Sequence, residues 1–203
     1  MSYPDDLCQL VIKNMEIIED APKVVDHVEK WLFAAINERI EQRVSTQEKW
    51  KGDYERCTGD DGETSFAPPE WPKGEDGSFF AYYELWYMEA GVDDYWLSNA
   101  IGIHDSALRL QFALSRDITD MGTKEHKKRC LDFYNANLTL AETGFRITKD
   151  GIIYLPFVLD ASKLAEEYPD IEEAFEPLDK ALTILFKEHT IFDSFVKSFS
   201  HSQ

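Results

Sequence analysis

The stretch from Phe79 to Ser115 constrains the fold more than any other part of the sequence, because it contains nine aromatic residues. Between Phe79 and Glu89 bulky apolar side chains occupy both odd and even positions, which predicts a strand covered on both faces. From Tyr95 to Ile103, and again from Leu108 to Leu114, apolar residues alternate with polar or small ones, as in half-buried strands. The stretch therefore predicts three consecutive antiparallel strands.

The aromatic side chains of this stretch have two interpretations. Rings at strand spacing bury a large apolar area, so most of them are expected in the core. The alternative is a sheet face that presents Tyr82, Trp86 or Trp96 to a ligand. The sequence does not choose between these two.

A second pair of strands is predicted around Asp150-Gly151, which is the strongest turn signal in the chain. Phe145–Lys149 and Ile152–Leu159 flank it, and Pro156 places its strand at an edge or a bulge. The predicted fold is thus α+β, with a five-stranded antiparallel sheet covered by helices in the order αα-βββ-α-ββ-αα. We expect one domain over residues 1–203, made of a helical segment (1–50), an acidic Gly/Pro-rich loop (51–78) and a sheet-and-helix core (79–203).

Apolar periodicity and capping residues predict the helices. The first begins at Asp5 or Asp6 and breaks at Asp20-Ala21-Pro22, and the second runs from Pro22 to about Trp50. That second helix is longer than one small sheet requires, which raises the possibility of a homodimer. The remaining helices are predicted from Thr123 to about Glu142, from Asp160 or Ser162 to Tyr168, from Asp170 through a kink at Pro177, and over Thr190–Phe199.

The charge balance bears most directly on function: 39 acidic residues against 21 basic ones give a net charge of −18. Such a chain repels phosphate backbones and anionic membranes and favours basic partners. Nucleic-acid and membrane binding are therefore not expected, although an acidic surface also serves solubility alone. The first residues lack the basic start and the apolar run of a signal peptide. The number of cysteines is odd (Cys8, Cys57 and Cys130), so we expect a reduced, cytoplasmic protein.

The segment from Lys51 to Ser78 is the predicted loop, with five glycines, three prolines and eight acids. Its acids lack the alternating spacing of a calcium-binding loop, so a solvated acidic loop is favoured. Phe66 and Trp71 either pin it to the body or contact a partner. The candidate partner-binding residues are acidic or aromatic positions of this loop and of the turn after the first strand: Asp60, Asp61, Glu63, Phe66, Glu70, Trp71, Asp93 and Asp94.

The sequence contains none of the motifs typical of nucleotide binding, hydrolases or metalloproteases, so no catalytic residue, cofactor or metal is predicted. His126 and Cys130 form half of a zinc site, but a surface histidine beside a core cysteine is the favoured interpretation. Glu84, Asp93, Asp94 and Asp105 could form a metal-binding carboxylate cluster. A pocket for an anionic small molecule, formed by His104, Asp105, Arg109 and Arg116, is a further alternative.

Over about Phe79–Lys187 the element order resembles, in outline, the α-βββ-α-ββ-α layout of type III secretion chaperones. No residue motif accompanies this resemblance. The resemblance implies a protein that binds an extended segment of an effector. The leading hypothesis is a non-catalytic acidic protein that binds and neutralises a basic protein partner, such as an immunity protein, an antitoxin or a DNA-mimicking inhibitor. The alternatives are a chaperone-like protein and a metal-dependent hydrolase or nuclease that uses the strand carboxylates.

Overall fold

The computed structural model of the chain describes residues 4–54, 64–71, 79–87, 95–115 and 122–200. Its α-helices are α1 (Asp5–Lys13), α2 (Met15–Ser45), α3 (Trp96–Ala100), α4 (Thr123–Ala136), α5 (Leu138–Glu142), α6 (Ala161–Glu167) and α7 (Glu176–Ser200). Its strands are β1 (Lys51–Tyr54), β2 (Thr64–Ala67), β3 (Ala81–Tyr87), β4 (Leu108–Leu114), β5 (Arg146–Ile147) and β6 (Ile153–Phe157). Within these described ranges no helix is both long and apolar enough to cross a membrane.

All six strands join one antiparallel sheet in the order β1-β2-β3-β4-β6-β5. The α+β class is confirmed, whereas the predicted number of five strands is wrong. β3, β4 and the β5–β6 hairpin lie where the sequence predicts them. Pro156 pairs with Arg109 of β4, and the short β5 reaches only Ile153 and Tyr154, so β6 is locally an edge strand at this proline.

Two corrections account for the strand count. The segment from Tyr95 to Ile103, predicted as a strand, instead forms α3 and leads into a 3-10 turn at Ile103–Asp105. Leu97 and Ile101 are four residues apart, so the same apolar positions also fit one face of a helix. Conversely, β1 and β2 fall inside the predicted Lys51–Ser78 loop, where they pair with each other and β2 also pairs with β3.

One face of the sheet, here called the inner face, is covered by the last helix. Phe192 of α7 lies 5.7 Å from Tyr83 and 4.9 Å from Phe112, measured between ring centroids. The apolar stripe predicted for Thr190–Phe199 is therefore part of the core rather than an interaction surface: Phe192, Phe195, Val196 and Phe199 are all buried. Trp50, which follows α2, stacks on Tyr83 with an interplanar angle of 7°.

The opposite, outer face carries a row of polar positions that crosses all six strands. In register the row runs Asp53, Ser65, Glu84, Gln111, Tyr154 and Arg146. Gln111 Nε2 donates a 2.5 Å hydrogen bond to Glu84 Oε1, and the guanidinium of Arg109 lies 5.4 Å from the Tyr154 ring centroid. The prediction of one apolar and one polar face for β4 matches this arrangement.

The first two helices follow each other with only Asn14 between them. The chain departs from helical angles only at Asn14, whose N–H still donates to Leu10 O, and Ile18 N–H donates to Asn14 O. The predicted break at Pro22 is wrong, because Pro22 lies inside α2, where its ring removes one backbone donor without ending the helix. Residues 5–28, here called the N-terminal arm, contain no buried side chain, and burial begins at Leu32.

The C-terminal region begins with a capped helix, as predicted. Asp160 Oδ1 accepts hydrogen bonds from the N–H groups of Ser162 and Lys163 and so caps α6. The spacing of Asp170 and Glu173 predicts a capping box at the start of the next helix. This box does not form, since Glu173 lies in a 3-10 turn over Glu173–Phe175. The helix begins at Glu176, so Pro177 lies in the first turn of α7, where proline is tolerated, and not at a kink inside the helix.

Candidate functional site

A groove of about 360 Å³ lies between α2 and the segment that joins α6 to α7. We call it the acidic groove; its wall on α2 consists of Trp31, Ala34, Ala35, Glu38, Arg39 and Gln42, and its other wall of Pro169, Asp170, Ile171, Glu172 and Phe175. It combines an apolar and aromatic floor with a charged rim. The two walls are more than 120 residues apart in sequence, so only the folded chain brings them together.

Aromatic packing fixes one end of the acidic groove. The rings of Trp31 and Tyr168 meet edge to face, with their centroids 4.5 Å apart. Trp31 is half-buried and Tyr168 is 45% exposed, so both keep surface that a ligand could cover. Phe175 and Ile171 are buried beneath the rim and supply a rigid base.

Arg39 ties the two walls together. Its Nε and one terminal nitrogen donate to the two carboxylate oxygens of Asp179 at 3.1 and 2.6 Å, and its other terminal nitrogen lies 3.5 Å from Glu172 Oε2. The guanidinium also lies 5.9 Å from the Phe175 ring centroid. The hydrogen bond to Asp179 raises the pKa of Arg39, against the opposing effect of burial. Its charge is therefore fixed and largely compensated by these two acids.

The segment after α6 is held by one carboxylate. Glu167 accepts hydrogen bonds from the N–H groups of Glu172, Glu173 and Ala174 at 2.8 to 3.1 Å. These bonds, led by the one from Glu172, lower the pKa of Glu167. The Glu167 carboxylate thus binds the backbone N–H groups at the start of the 3-10 turn, and these charge-assisted bonds give this wall of the groove a defined shape.

The rim carries an excess of negative charge. Residues 160–176 contain seven acids and a single base, Lys163. Some acids are already used: Glu173 lies 3.4 Å from Lys163, and Glu176 lies 2.7 Å from Lys180, whose hydrogen bond lowers the pKa of Glu176. Glu38 and Asp170 are exposed, and neither forms an ion pair with another residue of the described part of the chain.

The structure separates the predicted partner-binding residues into three groups. Phe66 is fully buried against Trp50 and Tyr83, and Trp71 is 4% exposed with its indole N–H donating to Asp193 Oδ1 at 2.7 Å. Both rings thus anchor their segment to the body and offer no surface to a partner. Glu70 is exposed, so its role stays a prediction. The other candidates lie outside the described residues: Asp60, Asp61, Glu63, Asp93 and Asp94.

The candidate metal ligands do not come together in the described residues. Glu84 pairs with Gln111 in the middle of β4, whereas Asp105 precedes the start of that strand at Leu108. His126 lies 3.9 Å from the Cys130 sulfur, but burial raises the pKa of that thiol to about 11, which disfavours the thiolate that zinc binds. The described part of the chain contains no group of three or more potential metal ligands.

The predicted pocket for an anion is not assembled as a set either. Arg109 lies on the outer face of the sheet beside Tyr154, and His104 and Asp105 form the 3-10 turn before β4. Arg116 lies outside the described residues. A second surface depression, of about 380 Å³, is lined by Arg129, Phe133 and Phe195 among others. The guanidinium of Arg129 lies 3.8 Å from the Phe199 ring centroid.

The sequence does not predict the acidic groove, because the candidate partner-binding residues lie in the loop before β3 and in the turn that follows it. One signal was present, namely the seven acids against one base in residues 160–176. Its aromatic partner, Trp31, could not be associated with these acids because it belongs to a helix at the other end of the chain. Chemically, the groove offers carboxylates, aromatic rings and aliphatic surface, and its lining contains no serine, cysteine or histidine nucleophile.

No protein-family model matches the chain, and no curated protein or solved structure matches it either.

Proposed function

We propose that the protein is a non-catalytic acidic interaction protein that binds a basic protein partner and neutralises it, in the manner of an immunity protein, an antitoxin or an inhibitor. The single observation that carries this proposal is the acidic groove, where Glu38, Asp170 and Glu172 surround an apolar floor that includes Trp31. The net charge of −18 supports it, because a field of that sign attracts basic proteins.

The groove suits a lysine or arginine side chain of the partner. The aliphatic part of such a side chain would lie along Trp31, Ala34 and Pro169. Its cation would then reach the carboxylates of Glu38 and Asp170, and a cation close to an indole ring gains further attraction. An aromatic anchor with a polar rim is the usual arrangement of a protein interface.

The rim explains why the partner should be basic rather than neutral. Arg39 is the only basic residue of the groove lining and is occupied by Asp179 and Glu172. Glu38 and Asp170 therefore remain available to compensate a positive charge from outside. The cytoplasmic setting is part of the proposal, since Cys8 and Cys130 are free thiols.

The test is to isolate the partner from the native host with the tagged protein and then to measure the affinity of the purified pair against salt concentration. We expect one basic protein whose affinity falls steeply as salt rises. The double variant Glu38→Lys/Asp170→Lys should weaken the complex at least about tenfold, because two attractive charges become repulsive. The matched control is Glu16→Lys/Asp20→Lys, which makes the same charge change on the exposed polar side of the arm.

Two outcomes would overturn the proposal. One is a partner that is not basic or whose binding is insensitive to salt. The other is an equal loss of affinity in the groove variant and in the control, which would mean that net charge matters and the groove does not.

A further inference from the structure

The N-terminal arm has exposed apolar side chains without a cover among the described residues. Leu10, Ile17 and Val24 are 58%, 68% and 57% exposed, and they are spaced seven residues apart. Leu7, Val11, Met15 and Ile18 add further exposed apolar surface beside them. Contiguous apolar patches of this kind mark interaction sites, so the question is which occupant fits.

The spacing of the arm is that of helix-to-helix packing. A seven-residue repeat labelled a to g places Val11, Ile18 and Val25 at position a and Leu7, Asn14, Ala21 and Val28 at position d. The flanking positions are also uncharged: Cys8, Met15 and Pro22 at e, and Leu10, Ile17 and Val24 at g. Asn14 keeps one helical hydrogen bond on each side, from its own N–H to Leu10 O and from Ile18 N–H to its carbonyl oxygen, so the repeat continues from α1 into α2.

The charged side chains of the arm are confined to the opposite side. Positions b, c and f carry all of them: Asp5, Asp6, Lys13, Glu16, Glu19, Asp20, Lys23 and Asp26. The uncharged sector ends where the arm reaches the body, since Glu29 accepts a hydrogen bond from Leu97 N–H at 2.8 Å. Two such sectors can therefore meet without bringing like charges into contact.

We propose that this sector packs against the same sector of a second copy of the chain, so that the protein is a dimer in solution. A second copy carries the identical repeat, so its side chains match the spacing of the holes that the first copy presents. A membrane is a poorer occupant, because six acids against two lysines in residues 5–28 repel anionic lipid. A basic protein is also poorer, because the sector itself contains no carboxylate.

The available area is sufficient for a modest dimer. Four of seven positions cover about 200° of a helix about 10 Å across, and residues 7–28 extend about 33 Å, which gives roughly 550 Å² per copy. A pair would bury about 1,100 Å², just above the lower limit of roughly 1,000 Å² for a specific interface. The dimer should therefore dissociate in the micromolar range.

The test is the molar mass of the full chain from sedimentation equilibrium or light scattering, between about 1 µM and about 200 µM, a range that brackets such an affinity. We expect the mass to rise from 23.5 kDa towards twice that value as concentration increases. Leu10→Glu should weaken dimerisation at least about tenfold, because a carboxylate would have to be desolvated in the interface. Gln9→Glu is the matched control, since it adds the same side chain one residue away on the polar side and should change dimerisation less than about threefold.

Leu10 is exposed in the single chain, so its replacement should leave the circular dichroism spectrum and the melting temperature of the body unchanged. The proposal is overturned by a wild-type mass of 23.5 kDa over the whole range, or by equal weakening in both variants. A monomer that binds neutral phospholipid vesicles, and loses this binding in Leu10→Glu, would assign the sector to a membrane and would also overturn it. None of these results depends on the acidic groove, so failure here leaves the proposed function untouched.

Discussion

The hydroxyl group of Thr64 donates a hydrogen bond to Asn37 Oδ1, and this contact joins β2 to α2 inside the core. Both residues are only 1% exposed, so water cannot replace either partner. The Asn37 Nδ2 group finds no acceptor, which makes the Thr64 hydroxyl the one side-chain group that satisfies this amide in the described structure. The contact thus places the first hairpin of the sheet against the long helix.

Thr64→Val should destabilise the fold by about 1–3 kcal/mol, since it keeps the shape of the side chain and leaves a buried acceptor without a donor. Urea unfolding followed by tryptophan fluorescence measures this loss. The double variant Asn37→Leu/Thr64→Val is the control, because removing both polar partners should cost less than the sum of the two single variants. Unchanged stability of Thr64→Val would show that the bond contributes nothing.

Glu167 should make stability depend on pH in the acid range. Its pKa is lowered by the backbone donors of Glu172, Glu173 and Ala174, so its stabilising effect is fully present above the unfolded value of about 4.3. The effect is lost as pH falls through the lower folded pKa. Between about pH 5 and pH 2, the window in which a lowered carboxyl pKa acts, the urea midpoint of Glu167→Gln should therefore change less with pH than that of the wild type.

Glu166→Gln is the matched control for this experiment. Glu166 is exposed on the same helix, and its side chain forms no hydrogen bond or ion pair with another described residue. Its replacement should leave the pH profile in place. Equal flattening in both variants would contradict the assigned role of Glu167.

The two described cysteines should differ strongly in reactivity. Cys8 is exposed on the arm, whereas Cys130 is buried and its thiol pKa is raised to about 11 by that burial. In a Cys57→Ser background at about pH 8 and at sub-micromolar concentration, where the proposed dimer is dissociated and the Cys130 thiol stays protonated, a thiol reagent should label Cys8 rapidly and Cys130 only after unfolding. Mass spectrometry after a short pulse identifies the labelled residue, and rapid labelling of Cys130 would contradict the structure.

How far the sheet could be predicted depended on the length of each apolar pattern. β4 alternates over seven residues with Leu108, Leu110 and Phe112 inward, and that pattern admits no helical interpretation. β1 and β2 have four residues each and lie among glycines and acids, so their pairing with each other and with β3 is invisible locally. The segment around Trp96–Ala100 was predicted as a strand but is a helix. Its apolar residues lie two and four positions apart, which fits either a strand or a helix face.

For the candidate site, the sequence could predict the negative charge but not the location. The excess of acids favours a basic partner, but the location required the contact between Trp31 of α2 and Tyr168, which directly follows α6. The loop acids Asp60, Asp61 and Glu63 are close together in sequence, which made them the candidate site for a basic partner. Phe66 and Trp71, predicted beside them, are held in the core by neighbours such as Tyr83 that no local pattern reveals.

The position of α7 after the described strands has a consequence for synthesis on the ribosome. Phe192 and Phe195 complete the inner face of the sheet, yet they are translated after all of the strands that they cover. Until they emerge, Tyr83 and Phe112 of the nascent chain lack the cover that α7 gives them. A prematurely terminated product would carry this uncovered face permanently, which makes such fragments natural targets for chaperones and proteases.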